Sequence, residues 1–455
     1  SEKLISQWHE LSRRMEYVFE VNSALSEETN NQANYYFGSS YQDGYILPPS
    51  SIMVKKLPLK KGLSLLVHAD PTFMAMAKLK KNFEIMFGVN IQNRALSIDR
   101  LREEILINAT REQSKYDIIA CDLPWFGEMA DAGHFIPLDR LMNETGFDAA
   151  DFNKEAMASS RFKGQQYGIP IQTTPELLVC RQDVFQEMGM KYPTTTQELL
   201  DAANAIQRSS IRMKAIAWNA ARGTPLGHSF LFSMGSFGQP IIDLRKVDNG
   251  FDAEWPKGEE LRPMFITNAA RDVCDFFSEL ISLSPKNILD MSWFERARAY
   301  ANGEVGMAFT ATLLSPMFEF DRMSPAFGKS KYLPLPAGNT GQPIAPVGGY
   351  ALAIPKNVPS QRVAHIWSAI QEFSSANATK IFIENGSLVS PRNSVSKDKE
   401  VQKVSFVIGV IDDLAGADIL KMWPRPPIPE ISHLISIAGT EIHDYLSGTI
   451  NKETA

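Results

Sequence analysis

The chain is poor in cysteine and histidine and has no long apolar run, and each shortage excludes a class of protein. Its three cysteines, Cys121, Cys180 and Cys274, lie far apart, so neither a disulfide framework nor a zinc-knuckle spacing can be read. The seven histidines lack the helical pairing that metal sites favour. No run approaches the roughly 18 apolar residues that cross a bilayer. The first residues lack the basic and then apolar order of a signal peptide, so we expect any export signal to have been removed.

An excess of basic charge and the common catalytic motifs are also missing. The 46 basic residues against 52 acidic ones give a net charge of −6 without a basic stripe, which argues against nucleic acid as a partner. FGKS at residues 327–330 is half of a phosphate-binding loop, but Met323 stands where the first glycine is needed. No nucleophile elbow and no dinucleotide fingerprint occur. We therefore predict neither catalysis nor a cofactor.

What the chain does contain is the alternation that is typical of α/β proteins. From Lys61 onward short apolar runs alternate with amphipathic stretches, which predict strands at residues 63–68, 89–94 and 116–121 and helices at residues 71–87 and 98–109. This order predicts an open, doubly wound parallel sheet, whose ligand sites lie at the carboxyl ends of its strands. His68 lies at the first of these ends, and Asp122 and Trp125 lie at the third.

Two further parts of the chain differ in pattern. Residues 1–60 form a predicted extension, an amphipathic helix followed by a linker rich in Asn, Ser, Gly and Pro. Beyond residue 166, extended segments flank a Pro-rich bend, and PTTTQELL at residues 193–200 places a Thr cap before a helix. This segment indicates the start of a second α/β lobe. Strands are also predicted at residues 303–309 and 349–354.

Several segments in this order resemble the family 1 extracellular solute-binding proteins, the sugar-binding components of ABC importers. The most specific match is FKGQQYGIPIQTTPELLVCRQDVFQEMGMKYPTTTQELL at residues 162–200, with a crossover strand, a strand end and a helix cap like those of the family. The other segments that resemble the family are YDIIACDLPWFGEMADAGHFIPLD (116–139), ANGEVGMAFT (301–310), APVGGYALAIP (345–355), SLVSPRNS (387–394) and MWPRPPIPE (422–430). Cys180 departs from the family, which has an aromatic residue there.

The resemblance implies a two-lobed, periplasmic-binding-protein-like α/β fold in which each lobe is an open doubly wound sheet and the lobes close on a ligand like a flytrap. Lobe one would comprise residues 61–172 and 313–373, and lobe two residues 173–312 and 374–455. Residues 1–60 remain outside the lobes as the N-terminal extension.

Candidate ligand contacts are polar, aromatic and glycine residues at predicted strand ends and loops. Sugars stack their apolar ring faces on aromatic side chains, and their hydroxyls match amides, carboxylates and guanidinium groups. The candidates are His68, Asp122, Trp125, Gln172, Thr174, Trp218, Trp293, Thr310, Thr312, Gly348, Gly349, Tyr350, Arg392 and Trp423. Each has a structural alternative: Asp122 as a helix cap, Arg392 as a solvated charge, and the tryptophans as core residues.

The resemblance implies a protein that binds a small polar solute, a sugar, polyol or sugar acid, and delivers it to the membrane subunits of an ABC permease in the periplasm or outside the cell. We expect a monomer, with the N-terminal helix as the surface for any dimer. Two alternatives stay open. One is a cytoplasmic ligand-sensing module of a transcriptional regulator, and the other is a glycoside-acting enzyme, which requires two carboxylates at hydrolytic spacing.

Overall fold

The computed structural model describes residues 56–247, 250–252, 256–339, 341–416, 422–423, 425–426 and 428–455. The predicted N-terminal helix and most of the predicted linker lie outside the described residues. The chain forms two compact units. Among the described residues, the first comprises 56–173 and 349–409, and the second comprises those within 174–348 and 410–455.

Strands and helices are numbered here in chain order. The strands are β1 (Leu63–His68), β2 (Ile91–Leu96), β3 (Ile118–Asp122), β4 (Arg161–Phe162), β5 (Gln165–Gln166), β6 (Ile169–Pro170), β7 (Thr174–Arg181), β8 (Lys214–Ala217), β9 (Lys246–Val247), β10 (Gly250–Phe251), β11 (Val305–Ala311), β12 (Ser330–Leu333), β13 (Ala345–Gly348), β14 (Tyr350–Ala353) and β15 (Met422–Trp423). The α-helices are α1 (Pro71–Lys78), α2 (Lys80–Phe87), α3 (Ile98–Ala109), α4 (Phe126–Asp131), α5 (Asp139–Thr145), α6 (Lys154–Ser159), α7 (Gln182–Glu187), α8 (Thr196–Arg208), α9 (Thr224–Ser236), α10 (Asn268–Leu283), α11 (Trp293–Ala301), α12 (Pro316–Glu319), α13 (Ser360–Phe373), α14 (Ala376–Glu384), α15 (Asn393–Ser396), α16 (Lys399–Val404), α17 (Phe406–Gly416) and α18 (Ile431–Leu446).

The first unit is built on a five-stranded sheet in the order β2-β1-β3-β14-β6. Strands β1, β2 and β3 are parallel, and β14 runs antiparallel to both β3 and β6. All five residues of β3, IIACD, are buried, as expected for a strand with both faces covered. The predicted parallel start is therefore confirmed. The predicted long helix at residues 71–87 is two helices, α1 and α2, which meet at Leu79.

The second unit is built on a six-stranded sheet around β7. Its path is β15-β13-β7-β11-β8, and β12 also pairs with β7. All eight residues of β7, TPELLVCR, are buried. The predicted Thr cap is confirmed, because Thr195 and Glu198 form a capping box at the start of α8. Among the described residues, no helix has both the length and the apolar character needed to cross a membrane.

Helices α9 and α18 of the second unit cross at glycine. A Cβ at Gly227 would lie 1.8 Å from the carbonyl oxygen of Ile435, and one at Gly439 would lie 1.8 Å from that of Gly223. Neither position can hold a larger side chain without separating the two helices.

The boundary predicted after residue 172 lies one residue from the observed one, but two other assignments are wrong. Residues 313–348 belong to the second unit, because β12 and β13 form hydrogen-bonded ladders with β7. Residues 374–409 belong to the first unit, because α14 packs on α1 and Arg392 forms an ion pair with Asp151. The first unit also begins before Lys61, since Leu57 is buried and its N–H donates to the carbonyl of Phe87 at 2.8 Å.

Candidate functional site

The carboxyl end of β1 places a buried carboxylate at the start of a helix. Asp70 is fully buried and caps α1, where its Oδ1 accepts from the N–H of Thr72 at 2.8 Å and of Phe73 at 3.3 Å. The helix N-terminus favours the negative charge, and Pro71 at the first helical position donates no hydrogen bond. Asp70 is thus held in place by the local chain.

The second oxygen of Asp70 orients two side chains. Oδ2 lies 3.0 Å from Nδ1 of His68 and accepts a hydrogen bond of 3.0 Å from Nε2 of Gln172. Because a carboxylate only accepts, Nδ1 of His68 is the donor in this hydrogen bond. Nε2 of His68 is then the ring nitrogen that can hydrogen-bond with a hydroxyl group of a ligand.

Gln172 brings an acceptor to the same place. Its side chain is fully buried, and its Oε1 has no hydrogen-bond partner among the described residues. The hydroxyl of the next residue, Thr173, is also buried without such a partner. Buried polar groups that the protein leaves unpaired are costly unless a ligand or water satisfies them. Gln172 and Thr173 therefore mark a place suited to a polar ligand.

Gly349 makes the close approach of this segment possible. Its φ of +123° is a conformation that residues with a Cβ rarely adopt, and a Cβ here would lie 2.6 Å from the carbonyl oxygen of Gln172. Its own carbonyl accepts from the N–H of Leu123 at 3.0 Å. Gly349 therefore joins the segment at Gln172 to the carboxyl end of β3.

Aromatic rings form an adjoining surface. The ring of Tyr350 stacks on that of His68, with centroids 4.9 Å apart and planes 16° apart, and it meets the edge of Phe73 at 5.9 Å. Asp122, the last residue of β3, pairs with Tyr350 in the β-ladder and is 8% exposed. Trp125 follows in the short helical turn Leu123–Trp125 and is buried. The alternative that Asp122 caps this turn gains no support, because its side chain makes no capping hydrogen bond there.

The first unit thus gathers most of the candidates that the sequence assigns to it. Direct contacts and the shared partner Asp70 join His68, Gln172, Gly349 and Tyr350 at the carboxyl ends of β1 and β3, and Asp122 lies beside Tyr350. Asp70, which links His68 to Gln172, is missing from the predicted contacts. The signal that could have found it is the run Asp70-Pro71-Thr72 directly after a buried strand, which is typical of a helix cap.

The candidates of the second unit that lie near the start of β7 are threonines and a glycine. The hydroxyls of Thr174 and Thr312 lie 3.2 Å apart, and Thr174 also accepts from the N–H of Leu313 at 3.0 Å. Thr310 is fully buried in β11. Gly348 pairs with Thr174 and has room for a Cβ, whose nearest neighbour would be 3.6 Å away.

Beside β7 the second unit buries a charged pair and a neutral histidine. Arg296 of α11 is fully buried and forms a bidentate ion pair with Glu176 of β7. Burial, with the charges of Arg425 and Arg296 nearby, lowers the pKa of His228 well below its ordinary value, so the ring is neutral. The half-buried ring of Trp293 meets His228 edge-on at 5.8 Å. Trp293 therefore has an aromatic partner within the unit.

Two candidates are engaged within the protein. Trp218 is fully buried, its ring lies 4.7 Å from that of Phe277, and its Nε1 donates to Ser284 at 3.0 Å. Arg392 donates to Asp151 at 2.9 Å, and its guanidinium lies 4.1 Å from the ring centre of Phe152. The alternative of Arg392 as a solvated charge is wrong, since the residue is 9% exposed.

Trp423 lies in β15, where its backbone pairs with Pro346 of β13. Its side chain is outside the part of the structure that is described. Its predicted role as a stacking ring stays a prediction.

A buried acid lies elsewhere in the second unit. Glu319 is 8% exposed and accepts from the hydroxyl of Tyr332 at 2.7 Å. Burial raises the pKa of the Glu319 carboxyl from 4.5 to about 7, against a lowering by the hydrogen bond from Tyr332. Within the described ranges, no three His, Cys, Asp or Glu side chains are grouped as metal ligands would be.

Comparison with known proteins places this arrangement in a family of similar architecture. A family model described as bacterial extracellular solute-binding protein matches residues 69–373, which is more than half of the chain. A solute-binding protein of an ABC transporter from Agrobacterium radiobacter, in complex with ribitol, superposes with a TM-score of 0.77 at 20% identity and covers 87% of this chain and 96% of its own.

Two further solved structures are similar. MalE3 of T. maritima with bound maltose gives a TM-score of 0.73 at 19% identity, over 85% of this chain and 95% of its own. An ABC transporter solute-binding protein from Thermotoga lettingae, bound with α-D-tagatose, gives 0.72 at 20% identity, over 86% of this chain and 96% of its own. These likenesses confirm the predicted fold class, two α/β lobes of the periplasmic-binding-protein type.

Proposed function

Because the chain belongs to the bacterial extracellular solute-binding proteins, as its sequence predicts, we propose that it binds a small polyhydroxylated solute, a polyol or a sugar, and delivers it to an ABC-type permease. The observation that carries this proposal is Oε1 of Gln172, which is buried without a hydrogen-bond partner in the described part of the chain and lies beside the stacked rings of His68 and Tyr350. An aromatic surface next to fixed acceptors matches the two faces of a sugar or polyol, its C–H groups and its hydroxyls.

The chemistry of the first unit favours hydroxyl donors over other groups. Oε1 of Gln172 is an acceptor, Nε2 of His68 is the ring nitrogen that does not face Asp70, and Asp70 holds both side chains through its Oδ2. A hydroxyl group can donate to Oε1 of Gln172, and it can hydrogen-bond with Nε2 of His68 as either donor or acceptor. A neutral ligand also adds no unpaired charge beside the buried carboxylate of Asp70.

The solved relatives support the same ligand class. The three solved structures hold ribitol, maltose and α-D-tagatose, which are all polyols or sugars. We propose that this chain likewise acts without chemical turnover, as a monomer in the periplasm or at the cell surface, with permease subunits as its partners. Asp122 and Trp125 of the first unit are proposed as further contacts there, and Thr174, Thr310, Thr312, Gly348 and Trp293 of the second unit stay predictions from the sequence.

A thermal-shift screen tests this function. Ribitol, D-mannitol, D-tagatose and maltose are added to the full chain, with sugar acids and amino acids as further members of the panel. A ligand of the native state at 100 times its Kd adds about 2.7 kcal/mol to stability, which gives a clear rise in Tm. NMR of the solute after prolonged incubation tests for turnover. No shift with any sugar or polyol, or consumption of the solute, contradicts the proposal.

A pair of variants ties the shift to the site. Gln172→Leu removes the acceptor at similar volume, and we expect it to reduce the shift strongly. Gln361→Leu makes the same change at an exposed position of α13 in the same unit and is expected to leave the shift unchanged. Equal shifts in the two variants would exclude Gln172 as a contact.

A further inference from the structure

The first unit contains a cavity at the end of its sheet opposite to the site described above. The cavity has a volume of about 320 Å³ and is lined by Ser64, Leu65, Gln92, Asn93, Arg94, Lys115 and Tyr116. These residues lie within the first three residues of β1, within the first four of β2, and just before β3. Along β1, His68 is four residues beyond Ser64, which is about 13 Å of strand. The two places are therefore separate.

The charges around this cavity favour an anion. No carboxylate is among its lining residues, whereas Arg94 and Lys115 are. Two carboxylates that bond to lining residues are already paired with cations: Glu104, which accepts from Tyr116, with Arg94 at 3.2 Å, and Asp117, which accepts from Ser64, with Arg362 at 2.8 Å. Two neutralised pairs leave the charge of Lys115 in excess.

The same contacts fix the wall of the cavity. The hydroxyl of Tyr116 donates to Glu104 at 2.8 Å and accepts from Arg94 at 2.9 Å, so the ring is held in place just before the start of β3. The amine of Lys115 lies 5.5 Å from the centre of that ring. Within the part of the chain that the structure describes, Lys115 forms no ion pair with a carboxylate.

Neutral polar groups complete the lining. Gln92 and Asn93 contribute amides, and Oδ1 of Asn93 is buried without a hydrogen-bond partner among the described residues. Amides of this kind bind hydroxyl groups, and the ring of Tyr116 with Leu65 offers an apolar surface. A volume of about 320 Å³ lies at the lower end of the range for small-molecule sites, roughly 300–1,000 Å³.

We propose that this cavity is a binding site for a small hydroxylated organic anion, with its carboxylate or phosphate beside Lys115 and its hydroxyls on the amides of Gln92 and Asn93. The site is independent of the polyol or sugar site at the carboxyl ends of the strands. A solute-binding protein with it would take up a second, charged ligand without displacing the first.

Isothermal titration of the full chain with gluconate, and separately with glucose 6-phosphate, tests this site. Lys115→Gln is expected to weaken anion binding at least fivefold. In the wild type, a higher NaCl concentration is also expected to weaken anion binding. Lys81→Gln, the same change at an exposed position of α2, is the matched control and should have no effect. The ligand that binds more tightly decides between a carboxylate and a phosphate.

Gln172→Leu separates this site from the first. Anion binding that persists in Gln172→Leu and is lost in Lys115→Gln supports the second site, whatever the outcome of the polyol and sugar screen. The proposal is overturned if neither anion binds, if Lys81→Gln weakens binding as much as Lys115→Gln, or if Gln172→Leu abolishes anion binding while Lys115→Gln retains it. The unfolding temperature of each variant verifies that it is folded.

Discussion

The buried carboxyl of Glu319 gives the second unit a stability that depends on pH in a definite direction. Its pKa is raised from 4.5 to about 7 in the folded protein, mainly by burial. Well below pH 4.5 the group is protonated in both the folded and the unfolded chain, so it does not lower the free energy of unfolding. As the pH rises from 4.5 towards 7, the group ionises in the unfolded chain but stays largely protonated in the folded chain. This ionisation stabilises the unfolded state relative to the folded state. Stability is therefore lost between about pH 4.5 and pH 7.

The size of this loss follows from the pKa difference. One pKa unit corresponds to about 1.4 kcal/mol, so the carboxyl of Glu319 lowers the free energy of unfolding by about 3 kcal/mol across this range. Glu319→Gln cannot ionise, and its Oε1 can still accept from Tyr332. We expect the free energy of unfolding of the variant to lose this pH dependence. The stability of the variant minus that of the wild type should therefore increase by about 3 kcal/mol between pH 4.5 and pH 8.

Urea unfolding at pH 4.5, 6, 7 and 8, followed by tryptophan fluorescence, measures the effect. Glu279→Gln, the same change at an exposed position of α10, is the control and should follow the wild type at each pH. A constant difference between Glu319→Gln and the wild type across the four pH values would refute the reasoning, because the carboxyl would then titrate alike in the folded and unfolded chains.

Three substitutions extend the account. Gly349→Ala should destabilise the protein by more than about 1 kcal/mol in thermal unfolding, because the new Cβ would clash with Gln172 at a positive φ. Gly133→Ala is the control, since a Cβ there also meets a positive φ, of +68°, but no neighbouring atom. Asp70→Asn keeps a helix cap but turns an amide donor towards the donors of His68 and Gln172, so titration should show solute affinity falling about tenfold, and Tm should fall as well because buried donors are left unpaired. Arg296→Met leaves Glu176 buried without its partner and should lower the free energy of unfolding in urea by about 3–5 kcal/mol. A variant that left its measured stability or affinity almost unchanged would contradict the contact that it was designed to remove.

The parallel start of the fold could be predicted because buried parallel strands are continuous apolar runs. β1 and β3 are such runs, and their carboxyl ends were located to within a residue. The assignment of residues 313–348 to the first lobe was wrong because β12 and β13 are only four residues long. Strands this short have no sequence pattern that identifies the strand with which they pair. Their place is decided by backbone pairing with β7, which only the folded chain shows.

The site was predictable as a set of residue types but not as a set of contacts. His68, Gln172 and Tyr350 stand at strand ends, where the sequence places them, yet the stack of His68 on Tyr350 joins distant parts of the chain. Asp70 was missed because its local role as a helix cap conceals its hydrogen bonds to His68 and Gln172. Trp218 shows the converse, since its sequence position does not distinguish a stacking ring from one that packs in the core.

The most direct test of the central claim is a crystal structure of the chain with the solute that gives the largest thermal shift. We predict a polyol or sugar with a hydroxyl that donates to Oε1 of Gln172 and a hydroxyl hydrogen-bonded to Nε2 of His68, with its C–H face near the ring of Tyr350. Density for the solute at a place that touches none of these three side chains would contradict the account, even if the affinity were high.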